Sequence, residues 1–108
     1  MEDISRFIKT TDANTPVHPG IVVKNNIDHR GISQKELSKL IDLSPSTLSE
    51  VLSAKRPVTT EYALLFEAAL HIDADALLNM QMAYNKFMAR SNPRFKAKMD
   101  KVSTLTPF

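Results

Sequence analysis

Apolar residues recur along this chain with a helical period and mark out a series of amphipathic segments. From Pro19 to about Arg30, Val23 and Ile27 define an inner stripe, with Ile21, Val22 and Ile32 in support. Leu37, Leu40 and Ile41 follow at i, i+3 and i+4, and Leu48, Val51 and Leu52 repeat that spacing. From Thr60 to about Leu70 the positions Tyr62, Ala63, Leu64, Leu65, Phe66, Ala69 and Leu70 are apolar nearly all round. A helix of that kind is buried on more than one side, so this segment is expected to be the spine of the core. The segment from Ala74 to about Arg90 carries two stripes, one of Leu77, Tyr84 and Met88, the other of Ala76, Met80, Ala83 and Phe87. One stripe serves the core, and the second has no evident partner within a chain this small. Exposed apolar patches of that size are rare on monomers, so Ala76, Met80, Ala83 and Phe87 are expected to form a homodimer interface. The pattern is that of an all-α fold.

Start and stop signals bound these helices. Gly31 ends the first. Ser33 caps the second, and Glu36, three residues on, can reach back to the Ser33 N–H in a capping box. Asp42 stands where the chain must reverse, and Asp tolerates left-handed backbone better than most residues. Ser44 offers another cap, followed by Pro45 at the first helical position, where its missing N–H does no harm. Pro57 disfavours helical geometry in the residue before it and closes the third helix. Thr59 and Asp73 cap the fourth and fifth, and Asn92-Pro93 opens a possible sixth. Ser33–Ser53 therefore reads as two short helices joined by a tight turn, with Leu43 plugging the corner, a helix-turn-helix. The outer face of its second helix holds Pro45, Ser46, Ser49, Glu50 and Ser53. A surface shaped for stability usually carries Lys and Glu. Small hydroxyl side chains instead suit close approach to a DNA major groove.

Five stretches, His18-Pro19-Gly20, Gly31-Ile32-Ser33-Gln34, Ser44-Pro45-Ser46-Thr47-Leu48-Ser49, Lys55-Arg56-Pro57-Val58-Thr59 and Leu78-Asn79-Met80-Gln81, resemble the HigA family of antitoxins. These are helix-turn-helix proteins of the xenobiotic-response-element type, and the resemblance covers about residues 18–90. It implies a lambda-repressor-like domain of five to six helices that binds double-stranded operator DNA and represses its own operon. It also implies a small ribonuclease-type toxin as protein partner. Where the family commonly has glycine, this chain has Asp42, Ala54 and His71. Ala accepts left-handed backbone least readily of the three, so a loop of different shape is expected at Ala54. Two other readings stay open: a stand-alone regulator without a toxin, and an interaction module that no longer binds DNA.

Composition narrows the field. At 108 residues, 43% hydrophobic and 24% charged, the chain suits one globular domain. It has no apolar run of membrane-spanning length and no basic-then-apolar start of a signal peptide, so a cytoplasmic protein with no membrane partner is expected. The absence of cysteine excludes disulfides, thiol nucleophiles and zinc knuckles. His18, His29 and His71 stand alone, with no second ligand at i+4, and structural roles are expected for them. There is no glycine-rich phosphate loop and no nucleophile elbow, and Asp73 with Asp75 fits a helix start. No enzyme activity, metal or cofactor is expected. The net charge of +2 is small, but the basic excess lies in residues 91–108 and mildly in 31–58, while 59–90 is acidic. Such asymmetry can orient a DNA binder.

Roles follow from position. Gln34, at the start of the first helix of the motif, is placed to hold a phosphate, and Ser44 and Thr47 suit further phosphate contacts. Pro45, Ser46 and Glu50 line the face that meets base edges. Glu50 is a carboxylate among phosphates and needs a donor; otherwise it is only a solvated helix residue. Lys55 and Arg56 are expected to clamp the backbone. Residues 18–90 form the expected DNA-binding domain with its dimerising fifth helix. Residues 1–17 read as a flexible arm with Ile4, Phe7 and Ile8 on one face. Residues 91–108 form a basic tail in which Phe95, Met99 and Val102 share a face ringed by Arg94, Lys96, Lys98 and Lys101. That tail is either a short helix or one formed on binding. The arm is expected to meet the toxin, and the tail to follow DNA phosphates.

Overall fold

The computed structural model describes residues 15–108; residues 1–14, with Ile4, Phe7 and Ile8, lie outside the described residues. The described residues form α1 (Pro19–His29), α2 (Gln34–Leu40), α3 (Pro45–Leu52), α4 (Thr60–Leu70), α5 (Ala74–Ser91) and α6 (Pro93–Leu105), with no strand among them. Val17–Met82 is one compact unit, and Ala83–Phe108 belongs to a second. The division falls within α5.

The first unit is built on the caps legible in the sequence. Ser33 Oγ accepts from the Glu36 N–H, and the Glu36 carboxylate accepts from the Ser33 N–H. The Ser33 N–H first, and the Ser33 hydroxyl second, hold the Glu36 carboxyl below its usual range. Ser44 and Thr59 cap α3 and α4 through their hydroxyls. Three helix ends then repeat one device. A residue with positive φ follows each helix, and the next N–H reaches back five residues: Ile32 to the Ile27 carbonyl, Leu43 to Ser38, Lys55 to Glu50. The left-handed residues are Gly31 (φ 70°), Asp42 (φ 55°) and Ala54 (φ 66°). This is the Schellman closure, which satisfies carbonyls that a helix end leaves open. His71 (φ 60°) ends α4, also in left-handed backbone. Ala54 therefore keeps the conformation that a glycine would take, and the expected change of loop shape does not occur. The chain instead carries the strain of a Cβ in that region.

The core gathers Val23, Ile27, Leu37, Ile41, Leu48, Val51, Leu52, Val58, Ala63, Phe66, Leu70, Ala74 and Leu77. Leu43 and Ile32 pack against it from the turns, as expected. Two expectations fail. Leu40 is 69% exposed, because α2 is rotated to bury Ser38 beside Leu37 and Ile41. Ser38 is accommodated by donating its hydroxyl to the Lys35 carbonyl. Nor is α4 buried all round: Ala63, Phe66 and Leu70 face the core, whereas Leu64 and Ala68 are exposed. Leu40, Ile41, Leu65, Ala68 and Ala69 line a shallow apolar groove there. In α5 the core stripe is Ala74, Leu77 and Gln81. Ala76 is exposed and Met80 half-buried.

Polar ties between helices complete the unit. Arg30 donates to the Leu70 carbonyl at 2.9 Å, closing the end of α4 from the end of α1. Glu67 accepts from the Ala74 N–H at 3.0 Å, joining α4 to the start of α5. Asp73 accepts from the Asp75 N–H at that same start. His18 caps α1: its Nδ1 accepts from the Gly20 N–H at 2.9 Å, and the residue is buried.

The second unit includes α6, which extends beyond the expected Val102 to Leu105. Asn92 Oδ1 accepts from the Arg94 and Phe95 N–H groups, and Pro93 takes the first helical position. Phe95, Met99 and Val102 are all exposed on this helix. Ala83 and Phe87 are half-buried.

Two measurements test this frame. Ala54→Gly removes the left-handed strain but adds backbone entropy to the unfolded chain. The net gain is about 1 kcal/mol, which raises Tm by roughly 4–8 °C in a domain of this size. An unchanged or lower Tm would contradict the strained-Ala54 account. The second concerns His18, which burial pushes below the ordinary histidine value of 6.5. Between the lowered value and 6.5 the unfolded chain holds the extra proton, so stability rises with pH across that window. The contribution is complete above 6.5 and is lost as pH falls through the lowered value. His18→Asn retains a capping side chain without a titrating ring. Its Tm is expected to fall less than that of the parent chain on acidification below pH 6.5, and parallel curves would contradict the assignment.

Candidate nucleic-acid interface

The exposed face of α3 is held from behind by an unusually close backbone contact. A Cβ built on Gly20 would lie 1.9 Å from the Val51 carbonyl oxygen. Only glycine lets the first turn of α1 press on α3 at that distance, and His18 fixes the same turn by accepting from the Gly20 N–H. Leu48, Val51 and Leu52 close the inner side of α3. The chain after α3 is pinned as well: the buried Gln81 side chain accepts from the Val58 N–H at 2.8 Å. With both flanks fixed, α3 presents Pro45, Ser46, Ser49 and Glu50 outward, with its C-cap Ser53 beside them, all exposed.

The chemistry of that face is ordered before any partner arrives. The Ser44 hydroxyl accepts from the Thr47 N–H and donates to Thr47 Oγ1 at 2.8 Å. Thr47 thus receives one hydrogen bond at its oxygen and keeps its own O–H to give. Gln34 stands at the first residue of α2, half-buried. Lys55 is exposed just past the left-handed Ala54.

Glu50 is not a bare carboxylate. Arg56 Nε and Nη2 both donate to Glu50 Oε1, at 3.0 and 2.6 Å. Glu50 holds the Arg56 guanidinium even more firmly protonated than usual. The pair is about half exposed, the side chains being 47% and 46% accessible. The backbone reversal at Ala54 returns the chain over α3 and makes a pair six residues apart possible. Sequence position alone gave Glu50 and Arg56 separate tasks; the structure joins them.

Four positioning residues escape a reading of α3 alone: His18, Gly20, Arg30 and Gln81. Two left a signal. Gly20 is a glycine inside the first turn of a helix, where it weakens the helix unless something must come close. Gln81 lies four residues after Leu77, on the core stripe of α5.

Among the described residues no group of His, Asp or Glu is arranged to hold a metal ion. No helix there is long and apolar enough to cross a membrane.

The family profile described as helix-turn-helix matches residues 23–77. Virulence-associated protein A′ of Dichelobacter nodosus is 32% identical over 71 residues, 65% of this chain. The chain spans 62% of that relative's length, under two thirds. Among solved structures, the fold is similar to an addiction module antidote protein of a HigA family from Coxiella burnetii. That match has a TM-score of 0.67 and 24% identity, over 87% of this chain and 99% of the other. It is also similar to the Pseudomonas aeruginosa antitoxin HigA with the higBA promoter, at TM-score 0.69 and 18% identity, over 84% and 95%. At these identities the likeness is one of fold.

Proposed function

This chain belongs to the helix-turn-helix family, and we propose that it is a sequence-specific DNA-binding repressor. On this reading it is the antitoxin of a HigB/HigA-like toxin–antitoxin module, acts in the cytoplasm and represses its own operon. The observation that carries the reading is the rigidly backed α3 with its exposed face of small polar residues. The fold it shares with a HigA-family antidote protein, and with HigA on its promoter, supports the antitoxin assignment.

The site divides by chemistry. Gln34 and Thr47 donate to phosphate oxygens, Ser44 serves the same contact by donating to the Thr47 hydroxyl and leaving the Thr47 O–H free, and the N-termini of α2 and α3 favour the same anions. Pro45, Ser46 and Glu50 meet base edges. Pro45 suits a thymine methyl, and Ser46 pairs with many bases and so selects weakly. Lys55 supplies a cation to the backbone beyond α3, and Arg56, bound to Glu50, shares that edge. One helix-turn-helix reads only a few base pairs, so two copies act together on half-sites one helical turn apart, about 34–36 Å. The face of α5 with Ala76, Met80, Ala83 and Phe87 is the proposed homodimer contact.

The second reading is a stand-alone regulator without a toxin. It has support in a 29% identical Escherichia coli protein, described as an uncharacterized HTH-type transcriptional regulator. A small basic protein encoded next to this gene separates the two readings.

Titration of a labelled duplex from upstream of the gene is expected to give a Kd of about 10 nM or tighter at physiological salt, weakening steeply as salt rises. Lys55→Ala is expected to weaken binding evenly across sequences and to reduce the salt slope by about one. An unchanged slope would remove Lys55 from the site. Sedimentation at tens of micromolar protein is expected to give a dimer, and Met80→Lys with Phe87→Lys a monomer. A monomeric parent chain would overturn the dimer.

A further inference from the structure

The Glu50–Arg56 pair carries a finer conclusion, resting on the reading that the exposed face of α3 enters a major groove. Both guanidinium donors converge on one carboxylate oxygen, Oε1. Among the described residues Oε2 accepts no hydrogen bond. The arrangement fixes the carboxylate, offsets its charge and leaves one strong acceptor unoccupied on the outer face of α3.

We propose that Glu50 selects cytosine at one position of each half-site, with Oε2 accepting from the N4 amino group, and that Arg56 is its positioning residue. The base edges decide the identity. In the major groove guanine offers only the acceptors N7 and O6, and thymine an acceptor and a methyl group, so all of these repel or ignore a carboxylate. Adenine has an amino donor at N6, but its adjacent N7 acceptor faces the same carboxylate. Cytosine has the amino donor without that neighbour. The obstacle to any acidic residue here is the field of the phosphates, and Arg56 answers it. A guanidinium on Oε1 makes the pair neutral, so it can approach the duplex without net repulsion. Arg56 then contributes to base choice through Glu50 rather than as an independent phosphate clamp.

The test uses full-length protein and selection from a pool of randomised duplexes, applied to the parent chain, Glu50→Gln, Arg56→Gln and the double variant. Both side chains are half exposed, so the substitutions leave the core untouched. The parent chain is expected to enrich cytosine at one position per half-site by about tenfold over the other bases. Glu50→Gln should move that preference to adenine, whose N6 and N7 match an amide. Arg56→Gln should lose the cytosine preference while the salt slope stays within about half a unit of the parent's. In the double variant, loss of Arg56 should not further change the preference set by Gln at 50. Cytosine still enriched by Glu50→Gln would overturn the role of Glu50. An intact preference in Arg56→Gln, with the salt slope reduced by about one, would make Arg56 a phosphate clamp and overturn its positioning role. If the parent chain enriches no sequence, the DNA-reading function fails, and this proposal with it.

Discussion

The approach of Gly20 to the Val51 carbonyl is the contact on which the presentation of the exposed α3 face depends. α2 has seven residues and α3 eight, below the length at which isolated helices persist in water. They stand because Leu37, Leu48, Val51 and Leu52 are buried against their neighbours, and because their ends are capped. The close seat of α1 on α3 sets how far α3 projects. A methyl group at position 20 would have to displace backbone, not a flexible side chain. His18 holds the same turn by its ring nitrogen, and Gln81 anchors the chain on the far side of α3.

The outer face follows from that frame. Its side chains are short, so they contribute little to stability and leave the helix free to approach another surface. Its one charged pair is internally compensated. Glu50 with Arg56 adds no net charge to the face, whereas Lys55 beside it does. On the proposed reading, selection and attraction then fall to different residues: Glu50 to the base edge, Lys55 to the phosphates. The closures at Gly31, Asp42 and Ala54 are the same device with three residue types, and only the first is free of strain.

Much of this was legible in the sequence because helix ends announce themselves chemically. Ser33 with Glu36, Ser44 with Pro45, Thr59, and Asn92 with Pro93 mark the starts, and each start lies where the cap puts it. What periodicity did not resolve is rotation. On a seven-residue helix, Leu40 and Ser38 flank the Leu37–Ile41 stripe on opposite sides, and the buried side is set by neighbouring helices, not by hydrophobicity. The apolar run in α4 misled in the same way: two of its faces are apolar, and only one is covered by the core. The Glu50–Arg56 pair was hidden because it depends on the left-handed turn at Ala54, where an alanine in place of glycine pointed to a loop of different shape. The site residues were placed by spacing along α2 and α3; their support came from residues of α1 and α5, distant in sequence.

The central claim is that the outer face of α3 meets DNA. Amide chemical-shift mapping of the full-length chain, titrated with the duplex upstream of its own gene, tests it most directly. The largest shifts are expected on Gln34, on Ser44, on Ser46–Glu50 and on the Lys55–Arg56 edge, with smaller, salt-sensitive shifts on α6. Largest shifts on the basic α6, with the α3 amides undisturbed, would contradict it.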